Sequence, residues 1–250
     1  VLFRTPARVV PGEYGDRQCG DERLWASAEL WRTTRKDVYQ RYFLAHFGEY
    51  AKRRDGFAPP SWANVAPLAM WTYVLGGGGD QATVKTIREA SLRAADETVE
   101  RTLRAGYRHS LLTRDYVWGS NGVAANYGVQ LLVANAMRPD ARYVEAALED
   151  LHYILGRNTF SLSFVTRLGE NPFRHPHHRP SAADSNAEPW PGLMSGGTNR
   201  SRQDPAMQRL PALPPARMYL DEQESYATNE VAINWNAPLV FLLAGALPHQ

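Results

Sequence analysis

The chain of 250 residues has a single cysteine, Cys19, which excludes an internal disulfide framework and any multi-cysteine zinc site. It also lacks a dominant sign of charge. Its 28 Lys and Arg stand against 26 Asp and Glu, so neither a nucleic-acid groove nor a polybasic membrane patch is written into the composition. No apolar run approaches the ~18 to 20 residues that a membrane helix needs. No repeat of fixed period is visible, which weighs against a regular solenoid. Strand patterns are scarce too, with only Ser161–Thr166 alternating in a way that suggests a short extended piece. No initiator methionine or signal-peptide pattern opens the chain.

What is present is helical periodicity. After a four-glycine break, Asp80 opens a stretch over 80–105 that places Val84, Ile87, Ser91, Ala95, Val99 and Leu103 on one stripe. Residues 141–155 repeat the pattern with Val144, Ala147, Leu148, Leu151 and Leu155, and stop at Gly156. Helices also fit 21–34, 37–49, 61–75, 121–137 and 229–247, about seven in all. Nine of the 17 prolines fall between Pro172 and Pro215, so that stretch should be a long ordered loop. No shift of composition marks a domain boundary. The fold class expected is all-α, with antiparallel pairs building a bundle, a solenoid or an α/α toroid.

Function concentrates on loops held by a rigid scaffold, and this loop is rich in donors. Residues 170–180 hold three of the seven histidines and two arginines within six positions. The spacing is poor for zinc, which leaves a basic surface turn or a donor cluster for a polar ligand. Further on, Thr228 or Asn229 is a good N-cap for a following helix, which puts Glu230 in its first turn. That placement alone is explained by the helix dipole. The neighbours Tyr226, Asn234, Trp235 and Asn236 argue for more, because a carboxyl among aromatics is partly desolvated and suited to act as a general acid. Aromatic faces with Asn, His and Arg donors also match a pyranose, which has apolar faces and a hydroxyl rim.

Both segments resemble signature regions of the family 9 glycoside hydrolases, cellulases built on an (α/α)6 toroid. The first runs across Ser163–Asn171 and on to His177-His178-Arg179; the second runs from Tyr219 and Asp221 through Tyr226 and Glu230 to Asn236-Ala237. The segments Gly20–Leu30 and Trp118-Gly119-Ser120-Asn121 are similar to further family segments, so the resemblance covers essentially the whole chain. It implies a partial (α/α)6 toroid with a Pro-rich active-site loop, and inverting hydrolysis of β-1,4-glucosidic bonds of the endoglucanase type. Glu230 then falls on the general acid and Asp221 on an invariant acid that holds the surrounding hydrogen bonds. His177 and Arg179 fall on substrate-contacting positions, with Trp118, Tyr226 and Trp235 beside the sugar. For Trp118, a core indole under the loop is an equal alternative. No cofactor is required for the chemistry. A structural Ca²⁺ held by Asp21 and Glu22, with Asn64 in place of a downstream Asp, is implied less firmly, because those acids also serve as plain N-terminal helix charges.

Inversion needs a second carboxyl to activate water, ~6.5 to 9.5 Å from the acid. The resemblance puts it in an Asp-Ala-Gly-Asp-like motif that does not occur in this sequence, and Asp16 and Asp21 have the wrong surroundings. Residues 1–250 are therefore expected to be the C-terminal portion of a catalytic domain, whose N-terminal helices and base segment lie outside the chain. On that expectation the chain alone is inactive or much slowed. Its partners are a β-1,4-glucan or oligosaccharide and the remainder of its own domain, with no nucleic acid and no membrane. The resemblance also implies secretion. Rival readings are an exo-acting cellobiohydrolase or exo-β-glucosaminidase on the same scaffold, and a non-catalytic carbohydrate-binding fragment.

Overall fold

Asp80 stops the glycine-rich turn and starts the longest helix, because its carboxylate accepts the backbone N–H of Thr83 at 2.8 Å. That helix is the fourth of ten in a computed structural model that describes residues 4–9, 15–16, 18–53 and 55–247. Three precede it: α1 (Gly20–Thr34), α2 (Asp37–Ala51) and α3 (Ala66–Leu75). Then come α4 (Gln81–Arg104), α5 (Ser120–Met137) and α6 (Ala141–Ile154). Three short turns of helix follow, α7 (Arg179–Ala183), α8 (Pro205–Gln208) and α9 (Tyr226–Asn229), before α10 (Ile233–Ala246). The fold class is all-α, and among the described residues the extended chain forms isolated bridges only, including Ser163 with Pro172 and Val165 with Met194.

The described residues up to Ser91 and those from Leu92 onward form two compact units. In the first unit, α1 packs on α2 and α3 around Leu24, Ala28, Phe43, Met70 and Tyr73. The Phe43 and Tyr73 rings stack there at 4.1 Å. In the second unit, α5 packs on both α6 and α10, which also touch each other. The approach of α10 is close because α5 offers glycine. A Cβ on Gly122 would stand 2.3 Å from the Cβ of Trp235, and Gly119, at φ +83, adopts a backbone conformation that side chains resist.

Two expected boundaries shift, for local reasons. The helix expected over 61–75 starts only at Ala66, since Ser61 and Asn64 bond each other through their backbones in a tight turn. The helix expected over 229–247 starts at Ile233, and Glu230 lies before it, not in its first turn. Neither Thr228 nor Asn229 is its cap. Thr228 is bonded to Ser225 and to the Leu220 carbonyl, while the Asn229 amide donates to the carbonyls of His175 and Glu222. Tertiary bonds consumed both capping side chains.

Candidate active site

The candidate site lies within the second unit, where three stretches of chain meet. The 172–180 loop is anchored by the fully buried Phe173 and then turned by Asp221. One oxygen of the Asp221 carboxylate accepts the backbone N–H of Arg174 and the other that of His175, both at 2.8 Å. The loop is thus fixed just before His177. The backbone of His177 pairs with the end of α9 and the residue that follows it, its N–H donating to the Asn229 carbonyl at 2.9 Å and its bridge partner being Glu230. On the other side, the N–H of Gly196 donates to the Glu230 carbonyl at 2.9 Å. Glu230 is held by its backbone from both sides, in extended conformation at the end of α9 (φ −58, ψ 143).

Its side chain is half-buried, and one oxygen accepts the indole N–H of Trp118 at 2.8 Å. Trp118 precedes Gly119 at the start of α5, so the sharp turn at that glycine aims the indole at Glu230. The Trp118 and Tyr226 rings lie 5.6 Å apart, and His177 meets Tyr226 edge to face at 5.8 Å. The Nδ1–H of His177 donates to the Gln223 carbonyl at 2.7 Å, which fixes the tautomer and leaves Nε2 as the available nitrogen. Glu230, Trp118, Tyr226 and His177 therefore form one cluster of a carboxyl, two amphipathic rings and an imidazole. Such a cluster can donate a proton and grip a ligand with apolar faces and hydroxyl edges.

The other expected site residues fall elsewhere. Asp221 stands behind the cluster, spent on the loop's backbone. Arg179 is exposed at the start of α7, and among the described residues no contact joins it to Glu230 or Tyr226. Trp235 requires correction. Its side chain is in the core, packed on Gly119 and Gly122, and its indole N–H donates to the Met194 carbonyl at 3.1 Å. No ring face is left for a sugar, because the close approach of α10 to α5 consumes it.

One supporting residue escaped sequence reasoning. Asp204 is fully buried; one oxygen accepts the N–H of Met207 at 2.6 Å, and the other accepts the N–H of Ala227 at 2.8 Å and the hydroxyl of Ser225. It caps α8 and pins the turn of α9 that carries Tyr226. The Asp204-Pro205 pair is an N-cap followed by proline, a signal visible in the sequence.

In the first unit, Asp21 is buried in the first turn of α1, with an oxygen accepting the Val65 N–H at 2.8 Å. The Glu22 carboxyl is raised from its ordinary value, first by burial and further by the nearby Asp21 and Asp16. The Asn64 amide oxygen accepts the Ala66 N–H at 3.2 Å. Among the described residues no group of three or more His, Cys, Asp or Glu side chains is arranged to hold a metal ion.

The sequence model for glycosyl hydrolase family 9 matches residues 3–243. Endoglucanase D of Acetivibrio thermocellus is 40% identical over 246 residues, covering 98% of this chain and 37% of the relative. A xyloglucan-specific endo-β-1,4-glucanase of Bacteroides ovatus is 34% identical over 241 residues, covering 94% of this chain and 40% of the relative. The crystal structure of a thermostable endoglucanase from Alicyclobacillus acidocaldarius, a D468A mutant, superposes with a TM-score of 0.91 at 31% identity, over 99% of this chain and 46% of that one. The chain thus spans less than half the length of these relatives.

Proposed function

Because the chain belongs to glycosyl hydrolase family 9, we propose that it carries the acid side of an active site for inverting hydrolysis of β-1,4-glucosidic bonds, of the endoglucanase type. Glu230 is the general acid. The observation that carries this role is the single bond from the Trp118 indole to one oxygen of Glu230. That bond engages one oxygen and orients the carboxyl, leaving the other oxygen to deliver a proton to the departing glycosidic oxygen as the bond to the anomeric carbon breaks. Tyr226 and Trp118 present ring surface to the sugar, His177 offers Nε2 to a hydroxyl, and Arg179 is a further substrate-contacting residue. Asp221 is a positioning residue that acts through the loop it holds.

Inversion requires water to attack from the opposite face of the ring, and the water must lose a proton to a base. We read residues 1–250 as the C-terminal portion of the catalytic domain. The Asp-Ala-Gly-Asp-like motif expected to supply that base is absent from this sequence. Full activity then belongs to the whole, secreted protein, and positioned general base catalysis is worth ~10² to 10⁴-fold. The names of the three relatives, all endoglucanases, support the substrate class.

Glu230→Gln in the whole protein tests the assignment. Hydrolysis of glucans, whose leaving group needs a proton, should fall by ~10² to 10⁴-fold, while aryl glycosides with good leaving groups keep far more of their rate. Equal loss on both substrates would remove Glu230 from the acid role.

Asp21 and Glu22 would offer hard oxygen donors to Ca²⁺ and Asn64 an amide oxygen, although an oxygen of Asp21 and that of Asn64 also accept the Val65 and Ala66 N–H groups. A cation there would offset the negative charge of Asp21 and Asp16, which adds to burial in raising Glu22. Ca²⁺ should raise the melting temperature of the protein, chelator should lower it, and Asp21→Asn should abolish the difference. A melting temperature indifferent to Ca²⁺ in the unsubstituted protein would dismiss the site.

A further inference from the structure

A cavity of about 390 Å³ opens beside α7, lined mainly by Arg167, Asp184, Asn186, Glu188, Trp190 and Pro191. It shares no residue with the Glu230 cluster. Its volume falls within the ~300 to 1,000 Å³ usual for small-molecule sites. Trp190 dominates it, and every polar atom of that residue is already engaged. Its indole N–H donates to Asp184 at 2.7 Å, its backbone N–H donates to the Ser181 hydroxyl at 3.1 Å, and its carbonyl accepts the Thr166 hydroxyl at 2.6 Å. The Ser181 hydroxyl in turn bonds Nδ1 of His178 at 2.8 Å, whose ring meets the indole edge to face at 5.2 Å. Asp184 also accepts the Asn186 N–H at 3.0 Å, so its carboxylate is occupied by the loop itself.

The consequence is an immobilised indole with 47% of its surface exposed and nothing left to offer except its ring face. A large aromatic fixed in this way loses little entropy on binding. Around it, Arg167 and Glu188 are both exposed and carry no ion-pair or hydrogen-bond partner among the described residues. One supplies donors and the other acceptors, at the rim of an apolar surface. That combination fits the C–H face and hydroxyl edge of a pyranose better than an anion, which Glu188 repels, or a cation, which Arg167 repels.

We propose that the Trp190 cavity is a second saccharide-binding site, which holds glucosyl units of a β-1,4-glucan on the surface apart from the Glu230 cluster. The inference rests on the substrate class proposed above. Adjacent histidines divide the work: His177 turns to Tyr226 at the acid, and His178 turns to Trp190. The 172–191 segment thus braces both sites.

Hydrogen exchange of the 250-residue chain with and without cellohexaose tests it, together with calorimetric titration of Trp190→Ala, Trp190→Phe and Arg167→Gln. Protection of residues 184–192 on binding is expected. Trp190→Ala should weaken binding at that segment at least fivefold, Trp190→Phe less, and Arg167→Gln about twofold or more at an unchanged melting temperature. Protection confined to 226–231 would overturn the second site and leave the acid site standing. Protection of 184–192 that survives Trp190→Ala and Arg167→Gln would overturn the role of the indole. Absence of protection anywhere in the chain would overturn the second site, whereas the acid role of Glu230 stands or falls on its own substitution.

Discussion

The indole N–H of Trp118 occupies one oxygen of Glu230 from a ring that also lies against Tyr226. Trp118→Phe separates these two functions, since phenylalanine keeps ring surface and loses the donor. Loss of a hydrogen bond of ~1.4 kcal/mol corresponds to ~10-fold in rate, so kcat on glucans should fall by about that factor with KM little changed. A large rise in KM with kcat intact would instead make the ring, not its N–H, the contribution of Trp118. Asp221 acts through the backbone that it holds. Two backbone N–H groups point at its two oxygens, and an amide has only one acceptor oxygen. Asp221→Asn leaves one N–H facing a donor, at a cost of about 1 to 3 kcal/mol, and should loosen the loop that bears His177. Faster hydrogen exchange at residues 174–177 is the measurement; unchanged exchange there would deny Asp221 its positioning role.

Among elements, the seam between α5 and α10 is where the packing tolerates least. Gly122→Ala would drive a Cβ into the Cβ and Cα of Trp235, atoms that cannot rotate away. Overpacking of this kind costs about 1 to 3 kcal/mol, or about 2 to 4 °C of melting temperature for each. Gly48→Ala in α2 is the control, because a Cβ there meets nothing within 4 Å. It should leave stability unchanged or raise it by a few tenths of a kcal/mol to ~1. The same seam shows what periodicity conceals. The long helices were legible because their stripes are local: Ile87, Ser91, Ala95 and Val99 of α4 are buried as spaced. The start of α10 was not, because Thr228 and Asn229 are good caps whose side chains are claimed by partners up to 54 residues away. Trp235 was misplaced for a similar reason. An aromatic near a carboxyl in sequence gives no sign of which helix it will be pressed against. The Glu230–His177–Tyr226 grouping could be read through motif resemblance, and Asp204 through its place as a cap before Pro205, whereas Trp190 draws its significance from contacts that no spacing encodes.

At the scale of the whole molecule, stability against pH is governed in part by two buried groups of the second unit. Asp150 is fully buried on α6, and burial pushes its pKa up to about 7, although the Ser110 N–H and hydroxyl at 2.7 and 2.6 Å and the charge of Arg101 work against that. His109, one residue before Ser110, is lowered to about 4 by burial and then by Arg101 and Arg157. Its Nδ1 accepts the Leu111 N–H at 3.2 Å, so the neutral ring carries its proton on Nε2 and donates to the Tyr116 hydroxyl. The raised acid favours the folded state when protonated. Its contribution is complete below its ordinary 3.8 and is lost as pH rises to about 7. The lowered base favours the folded state when neutral. Its contribution is complete above its ordinary 6.5 and is lost as pH falls to about 4. The shifts correspond to about 4 and 3 kcal/mol, of opposite slope over nearly one window, so the two contributions largely cancel each other between pH 4 and 6.5. Removing either partner should unmask the other. Asp150→Asn leaves stability rising with pH across that interval, and His109→Gln leaves it falling. Denaturant midpoints at pH 4.5, 5.5 and 6.5 measure both slopes, and parallel profiles for the two variants would show that neither group titrates with folding.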